Sequence, residues 1–167
     1  MGNKNNRGWE LKKILILEGG LNEEHKISLN TSREVKKILK KKNIYFKSLL
    51  VNPQSFESDL KKIPKDHVCF NALHGTYGED GVIQKILKKH NFKFTHSGVI
   101  SSKTCFDKIK TKNIIKKLNI PTPDFINLKV DNINLKKMLD LRTKFNKFVI
   151  KPRNSGSSFG TILIKTK

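Results

Sequence analysis

The segment HVCFNALHGTYGEDGVIQKILKK, residues 67–89, decides the fold because a strand, a glycine-containing loop and a helix follow one another within it. The apolar run from His67 to Leu73 predicts a buried strand. Residues 82–89 predict a helix whose buried face is formed by Val82, Ile83, Ile86 and Leu87. The loop between them, residues 74–81, follows the carboxyl end of the strand, which is where open α/β sheets bind ligands.

The same alternation extends in both directions from this segment. Further strands are predicted at residues 13–17, 45–51 and 92–95, and helices at residues 28–42 and 55–62. Asn43 is expected to end the first of these helices, whose apolar face is formed by Thr31, Val35, Ile38 and Leu39. Strands that alternate with helices predict an α/β layer architecture with a mostly parallel sheet.

The pattern changes after Ser97-Gly98. A helix is predicted at residues 104–118, followed by a strand at 125–128, a helix at 135–141 and strands at 148–151 and 161–165. We therefore expect a domain boundary between Gly98 and Pro123. The predicted organisation is a disordered tail at residues 1–10, a first domain at 11–100 and the beginning of a second domain at 101–167.

The net charge of +21 would ordinarily place nucleic acid first among the partners. However, only four of the 35 basic residues are arginine, and Lys, Asn and Ile are the residues of AT-rich codons. The densest lysine runs, within residues 36–42 and 85–89, fall on the polar sides of predicted helices without interleaved aromatic residues. Solvated helix faces are therefore favoured over a surface that binds nucleic acid specifically.

The cysteines and the apolar runs predict a cytoplasmic protein. Cys69 and Cys105 lie in apolar segments, which is typical of reduced core thiols. No apolar run approaches the length of a membrane span or of a signal-peptide core.

Three loops carry the residue types of a binding site. Residues 151–160 place two glycines and three serines beside Lys151, which suits a phosphate, with a flexible hairpin turn as the equal alternative. In residues 74–81, His74, Glu79 and Asp80 could orient a substrate or transfer protons, or they could simply cap the loop and the next helix. After the first strand, Glu23 and Glu24 could hold a ligand ammonium or complement a helix N-terminus. The two Cys and five His have no zinc-site spacing.

Four stretches, taken together, resemble one family. They are GGLNEEHKIS at residues 19–28, ALHG and GEDG within residues 72–81, THSGV and Asp107-Lys108 within residues 95–108, and IKP and GSSFG within residues 150–160. This combination is similar to D-alanine-D-alanine ligase, an ATP-grasp enzyme, and covers residues 13–165 but only the N-terminal half of that family. The resemblance implies a three-layer first domain of the pre-ATP-grasp type and the incomplete beginning of an α+β ATP-grasp domain.

The resemblance implies an enzyme that phosphorylates the carboxylate of one D-alanine with ATP. The amine of a second D-alanine then attacks the acyl phosphate, which yields a dipeptide for peptidoglycan. Glu24 and Ser157 would be catalytic, Glu24 by holding the ammonium of the first D-alanine and Ser157 by orienting Glu24. Further contacts with that substrate would come from Ile27, Ser28 and His74. The phosphates of ATP would be bound by Lys108, Lys151, Ser157 and Ser158.

The resemblance also implies what these 167 residues leave out. The acidic ligands of magnesium and the arginine that stabilises the transferring phosphoryl group belong to the C-terminal half of the family. We therefore expect no metal ligand here and no turnover by this chain alone. The expected partners are D-alanine, ATP, and either a second copy of the chain or the missing half in trans. Positions that depart from the usual family residues are Glu18, Asn22, Lys26 and Phe106.

The sequence is also compatible with two other functions. The chain could be a non-catalytic basic module that binds nucleic acid, which its charge would support. Alternatively, it could be a fragment that only binds substrate or forms a dimer.

Overall fold

The computed structural model describes residues 13–165, and the tail predicted at residues 1–10 lies outside the described residues. The first part of the chain comprises β1 (Lys13–Gly19), α1 (His25–Lys41), β2 (Phe46–Val51), α2 (Phe56–Lys61), β3 (His67–Asn71), α3 (Val82–Lys89) and β4 (Lys93–Phe94). The second part comprises α4 (Val99–Phe106), α5 (Lys108–Lys117), a 3-10 turn (Val130–Asn132), α6 (Leu135–Phe145), β5 (Phe148–Ile150) and β6 (Ile162–Ile164).

The first four strands form one parallel sheet in the order β2-β1-β3-β4. Because crossovers between parallel strands are right-handed, α1 lies on one face of the sheet and α2 and α3 lie on the other. The predicted α/β fold with a parallel sheet is thereby confirmed. Since β1 and β3 are neighbours, the loops that follow them leave the same edge of the sheet side by side.

The larger hydrophobic core lies between the sheet and helices α2 and α3. Leu15 and Leu17 of β1 point into it and are fully buried. The other buried members of this cluster are Val51, Phe56, Leu60, Cys69, Leu73, Ile83, Leu87 and Phe92. Each fully buried Leu or Ile stabilises the fold by about 1.5–3 kcal/mol relative to an exposed one.

The opposite face of the sheet, under α1, is more polar. Ser28 and Ser32 are the buried residues of α1, and Glu18 of β1 is only 8% exposed. Lys36 Nζ lies 2.7 Å from both carboxylate oxygens of Glu18, and the Ser32 hydroxyl donates a hydrogen bond to the same group. Burial alone would raise the pKa of the Glu18 carboxyl, but these partners hold that pKa below its usual value. The unusual charge at position 18 is therefore paired.

Asp107 divides the helix predicted at residues 104–118 into α4 and α5. Its backbone is extended, with φ of −87° and ψ of 102°, and its side chain accepts hydrogen bonds from the N–H groups of Ile109 and Lys110. This is the geometry of an N-cap, so the prediction of one helix was wrong. The strand predicted at residues 125–128 was also wrong, because that segment has no regular secondary structure.

Some predictions of burial were wrong as well. Ile38 is 58% exposed because α1 faces the sheet with the row formed by residues 28, 32, 35 and 39. Val82, in the first turn of α3, is 42% exposed. Cys105 is exposed because it lies on α4, a helix without buried residues.

In the second part of the chain, β5 and β6 form an antiparallel pair, with Phe148 opposite Ile164. The glycine- and serine-containing segment joins these two strands, as the sequence predicts. Among residues 13–165, no helix is long and apolar enough to cross a membrane.

Candidate functional site

Asn22 ties together the loops that follow β1 and β3, which are called loop 1 (residues 20–24) and loop 2 (residues 74–81). Its Nδ2 donates hydrogen bonds to the carbonyl oxygens of His74 (2.8 Å) and Thr76 (3.0 Å). Its Oδ1 accepts a hydrogen bond of 2.9 Å from the backbone N–H of Glu24. One side chain therefore fixes both loops and the start of α1.

Glu24 is the most unusual residue of this edge of the sheet. It stands at the N-terminus of α1 and is only 1% exposed. Its Oε1 atom is buried and has no hydrogen-bond partner within residues 13–165. Because a buried carboxylate oxygen without a partner is costly, this environment favours a ligand that brings positive charge and N–H donors.

Two glycines allow the surrounding loops to approach this carboxylate. Gly75 of loop 2 has a positive φ of 69°, and a Cβ atom there would lie 2.0 Å from Glu24 Oε2. Gly156 belongs to loop 3 (residues 153–160), and a Cβ atom on it would lie 2.9 Å from Glu24 Oε2 and 3.2 Å from Glu79 Oε2. The Gly75 N–H also donates a 2.9 Å hydrogen bond to Glu79 Oε2. Two carboxylates thus converge beneath Gly156.

A cavity of about 490 Å³ opens beside His74. His74 Nε2 and Thr31 Oγ1 are 2.9 Å apart and both residues line the cavity. Further lining residues are Gln84, His96 and Ser155. Burial lowers the pKa of His96, whose ring lies 4.7 Å from that of Phe94. Most of the residues that line the cavity are polar and uncharged, and Glu79 is the carboxylate among them.

Two lysines meet at loop 3. Lys108 Nζ donates a 2.7 Å hydrogen bond to the carbonyl oxygen of Ser155. Burial and the nearby ammonium of Lys151 lower the pKa of Lys108. Neither lysine pairs with a carboxylate within residues 13–165, so an anionic ligand would relieve their mutual repulsion. Ser157 and Ser158 follow with positive φ values of 43° and 62°, a turn conformation that exposes backbone N–H groups.

The structure thus groups the predicted site residues in two places. Glu24 and His74 lie at loops 1 and 2, and the two lysines lie at loop 3. Ser28 is buried, and its hydroxyl accepts a 2.8 Å hydrogen bond from Gly19 N–H, so it supports loop 1. Ile27 is half-buried on α1, whereas the two serines of loop 3 are exposed. Within the described residues no hydrogen bond joins Ser157 to Glu24, and it is the adjacent Gly156 whose backbone approaches that carboxylate.

Three residues of the site were missed from the sequence. Asn22 stands two residues before Glu24, a spacing typical of an Asx turn, so its contact with Glu24 N–H could have been predicted. Thr31 was predicted only as part of an apolar helix face. Arg153, which pairs with Asp107, carried no local signal because the two residues are 46 positions apart.

No metal centre is apparent in the part of the chain that the structure describes. Across residues 13–165, His, Cys, Asp and Glu side chains nowhere gather in groups of three that could hold a metal ion.

The chain is similar to known proteins in both sequence and structure. No protein-family model matches the chain. The chain is 44% identical over 149 residues to the D-alanine-D-alanine ligase of Pelagibacter ubique, covering 88% of the chain and 48% of that protein. It is 35% identical over 156 residues to that of Clostridium botulinum, covering 93% of the chain and 50% of that protein.

Solved structures of D-alanine-D-alanine ligases also match the chain. The D-alanine-D-alanine ligase from Bacillus anthracis matches with a TM-score of 0.74 at 30% identity, over 93% of this chain and 50% of that one. The same enzyme complexed with ATP matches with a TM-score of 0.73 at 29% identity, over 93% and 51%. The chain spans about half the length of the curated relatives it matches. It is therefore a homologue of the D-alanine-D-alanine ligase family over about half of that family's length.

Proposed function

We propose that this chain supplies the N-terminal, substrate-binding half of an ATP-dependent D-alanine-D-alanine ligase that makes the dipeptide for peptidoglycan in the cytoplasm. The observation that carries this proposal is the buried carboxylate of Glu24, which has an unpartnered oxygen and lies beneath glycines of two loops. An ammonium group is the ligand that such a site accepts best, because it offers both charge and three donors.

In this proposal Glu24 holds the ammonium of the first D-alanine and His74 contacts its carboxylate. Thr31 fixes the ring of His74 through its hydroxyl, since the two atoms are 2.9 Å apart. Ser28 and Asn22 keep the backbone of loop 1 in place. Ile27 contributes an apolar wall, and Ser157 donates to Glu24 once loop 3 has adjusted around the substrate.

The two lysines serve the second reactant in this proposal. Lys108 and Lys151 bind the phosphates of ATP, helped by the N–H groups and hydroxyls of Ser157 and Ser158. A carboxylate oxygen of the first D-alanine attacks the γ-phosphorus, and ADP leaves. The amine of the second D-alanine then attacks the acyl carbon, loses a proton, and inorganic phosphate leaves.

The residues described here supply binding and orientation only. Magnesium would neutralise charge on the transferring phosphoryl group, but no group of residues within 13–165 fits it. No step of the reaction is therefore derived through a metal from this chain. The remaining contacts would come from the half of the relatives that these residues do not match.

We expect that Lys108→Ala or Lys151→Ala weakens ATP binding about tenfold to a hundredfold. Each lysine should supply a charge-assisted hydrogen bond worth about 1.5–3 kcal/mol. The test is calorimetric titration of ATP into a chimera that joins residues 1–167 to the C-terminal half of the Pelagibacter ubique relative. Lys136→Ala, on the exposed side of α6, is the matched control and should leave the affinity unchanged. Unchanged affinity in both loop 3 variants would contradict this nucleotide site.

The net charge of +21 favours a second candidate, non-specific binding to nucleic acid. Charge alone should give dissociation constants of about 10⁻⁴ to 10⁻⁶ M that weaken steeply with salt. Nanomolar, sequence-selective DNA binding at physiological salt would make nucleic acid the main partner. Light scattering would decide whether the chain also forms a dimer.

A further inference from the structure

Arg153, the first residue of loop 3, is joined to Asp107 by two parallel hydrogen bonds. Its Nε lies 2.9 Å from Asp107 Oδ1 and its Nη2 lies 2.7 Å from Oδ2. Asp107 is only 7% exposed, and Arg153 holds the pKa of this carboxyl at about 2. A bidentate pair of this kind fixes orientation as well as distance.

Lys108, which follows Asp107, also forms hydrogen bonds to loop 3. The backbone N–H of Lys108 donates a 3.2 Å hydrogen bond to the carbonyl oxygen of Arg153, and Lys108 Nζ donates to that of Ser155. Lys110 Nζ, at 3.9 Å from Asp107 Oδ2, is the other cation that faces this carboxylate. The break between α4 and α5 is therefore the point to which the start of loop 3 is attached.

Loop 3 then passes close to the carboxylate of Glu24. Gly156 follows Arg153 by three residues and lies so close to two carboxylates that a Cβ atom on it would be 2.9 Å from Glu24 Oε2 and 3.2 Å from Glu79 Oε2. At the far end, Gly160 has a φ of 65° and lies so close to Pro152 that a Cβ atom on it would be 2.8 Å from Pro152 Cγ. Because these contacts hold the start of loop 3, we expect a change at Arg153 to displace Gly156 and the two serines that follow it.

We propose that Asp107 and Arg153 are a positioning pair that holds loop 3 over the carboxylate of Glu24. The pair itself touches neither substrate. It sets where Gly156 meets Glu24, and it brings the phosphate-binding groups of the loop to the amino-acid site. This proposal rests on the proposed function for the identity of the ligands, although the loop contact itself does not depend on them.

The test compares Asp107→Asn, Arg153→Gln and the double variant in the 167-residue chain. Asparagine keeps an oxygen that can cap α5. The substitution therefore removes the charge pair but retains the helix N-cap. Amide hydrogen exchange would be followed at Phe159 and Thr161, whose N–H groups donate to Gly156 and Ser158 within loop 3. The reference amide is Ala72, which donates to Leu17 in the sheet.

We expect each single variant to speed exchange at Phe159 and Thr161 by about tenfold while exchange at Ala72 is unchanged. The double variant should add little, because both single changes remove one interaction. Contacts between the protons of Gly156 and Glu24, measured by nuclear Overhauser effects, should weaken in parallel. Arg153→Lys should keep part of the protection from exchange that Arg153→Gln removes, since lysine keeps the charge but loses the bidentate geometry. Arg142→Gln on α6 is the control.

Unchanged exchange in loop 3 for both single variants would overturn the proposal, as would equal effects at Ala72, which would indicate general destabilisation. ATP affinity of the chimera is the second measurement, and Arg153→Gln should lower it at least about fivefold. If the unmutated chimera binds no ATP, the proposed function fails. The exchange and proton contacts would still decide whether the pair positions loop 3.

Discussion

The two cysteines of the chain occupy opposite environments, which gives a direct test of the structure at the scale of single residues. Cys69 is fully buried in β3, and burial raises the pKa of its thiol to about 12. Cys105 is exposed on α4. Because the thiolate is the reactive form, Cys69 should be inert while the protein is folded.

We expect one thiol to react rapidly with an aromatic disulfide reagent at pH 8 and the other only after unfolding. Cys105→Ser should remove the rapid reaction entirely, and Cys69→Ser should leave it intact. Two rapidly reacting thiols in the native protein would contradict the burial of β3.

The Asp107–Arg153 pair also predicts how stability depends on pH. The pKa of Asp107 is about 2 in the folded protein, below its ordinary value in an unfolded chain. The stabilisation is therefore complete above the unfolded pKa and is lost as the pH falls from about 4 towards 2. Urea unfolding should show a difference between the wild type and Asp107→Asn at pH 7 that shrinks by pH 3. A difference that stays constant would indicate that the charge pair contributes nothing.

The partners of single residues are where prediction from the sequence was weakest. The sequence places Glu18 in a buried strand, but its neutralisation by Lys36 depends on the way α1 crosses the sheet. In the same way, Gly75 and Gly156 are recognisable as loop residues, yet their approach to one carboxylate joins segments that are 81 positions apart. Such contacts depend on tertiary geometry, which local patterns do not contain.

At the scale of elements, three helices end in the same way. Asn43, Asn91 and Asn119 have positive φ values of 53°, 56° and 54° and follow α1, α3 and α5. In each case the Asn N–H and the N–H of the next residue donate back to carbonyls of the last turn, which is the Schellman motif. Asparagine stands where glycine is usual, because among other residues it tolerates this conformation best.

We expect Asn91→Ala to lower the free energy of unfolding by about 1 kcal/mol, because alanine has no side chain to support a left-handed backbone. Asn91→Gly should be neutral or stabilising, since glycine adopts this conformation without strain. The exposed Asn113 within α5 is the matched control, where alanine should stabilise the helix slightly. Urea unfolding of the three variants measures these differences, and equal effects of alanine at positions 91 and 113 would contradict the motif.

Helix and strand types could be predicted in the first part of the chain because hydrophobic periodicity and turn residues agree there. The helix over 104–118 was predicted as one piece because its periodicity continues through the break. Asp107 interrupts it by capping α5 with its side chain, and Arg153 from another segment binds the same carboxylate. An aspartate in the middle of an otherwise helical pattern was the available signal.

At the scale of the whole molecule, burial is distributed unevenly. Every buried apolar residue of residues 13–165 lies at or before Phe92, except Leu141 of α6. In the second part, Val149, Ile162 and Leu163 are each about half exposed on the two-stranded sheet. The first part has a self-contained core, whereas the second part leaves an apolar sheet uncovered.

This asymmetry has a consequence for activity. The 167 residues match 48% of the Pelagibacter ubique ligase, and within residues 13–165 no group of side chains fits a metal. Phosphoryl transfer needs charge neutralisation at the phosphate, so these residues alone should release no phosphate from ATP in response to D-alanine. Addition of the separately expressed C-terminal half of that ligase should cover the apolar sheet and supply the missing groups.

We therefore expect D-alanine-dependent phosphate release and dipeptide only in the mixture, measured by a phosphate assay and mass spectrometry. The same mixture made with Glu24→Gln should lose most of its activity, because the amide cannot neutralise the ammonium of the first substrate. A mixture that contains Lys136→Ala should keep it. Turnover by the 167-residue chain alone would mean that a complete catalytic site exists within it. An inactive mixture would not distinguish failed assembly from a wrong function, so the covalent chimera is the decisive version: if that chimera folds but makes no dipeptide, the proposed function is wrong.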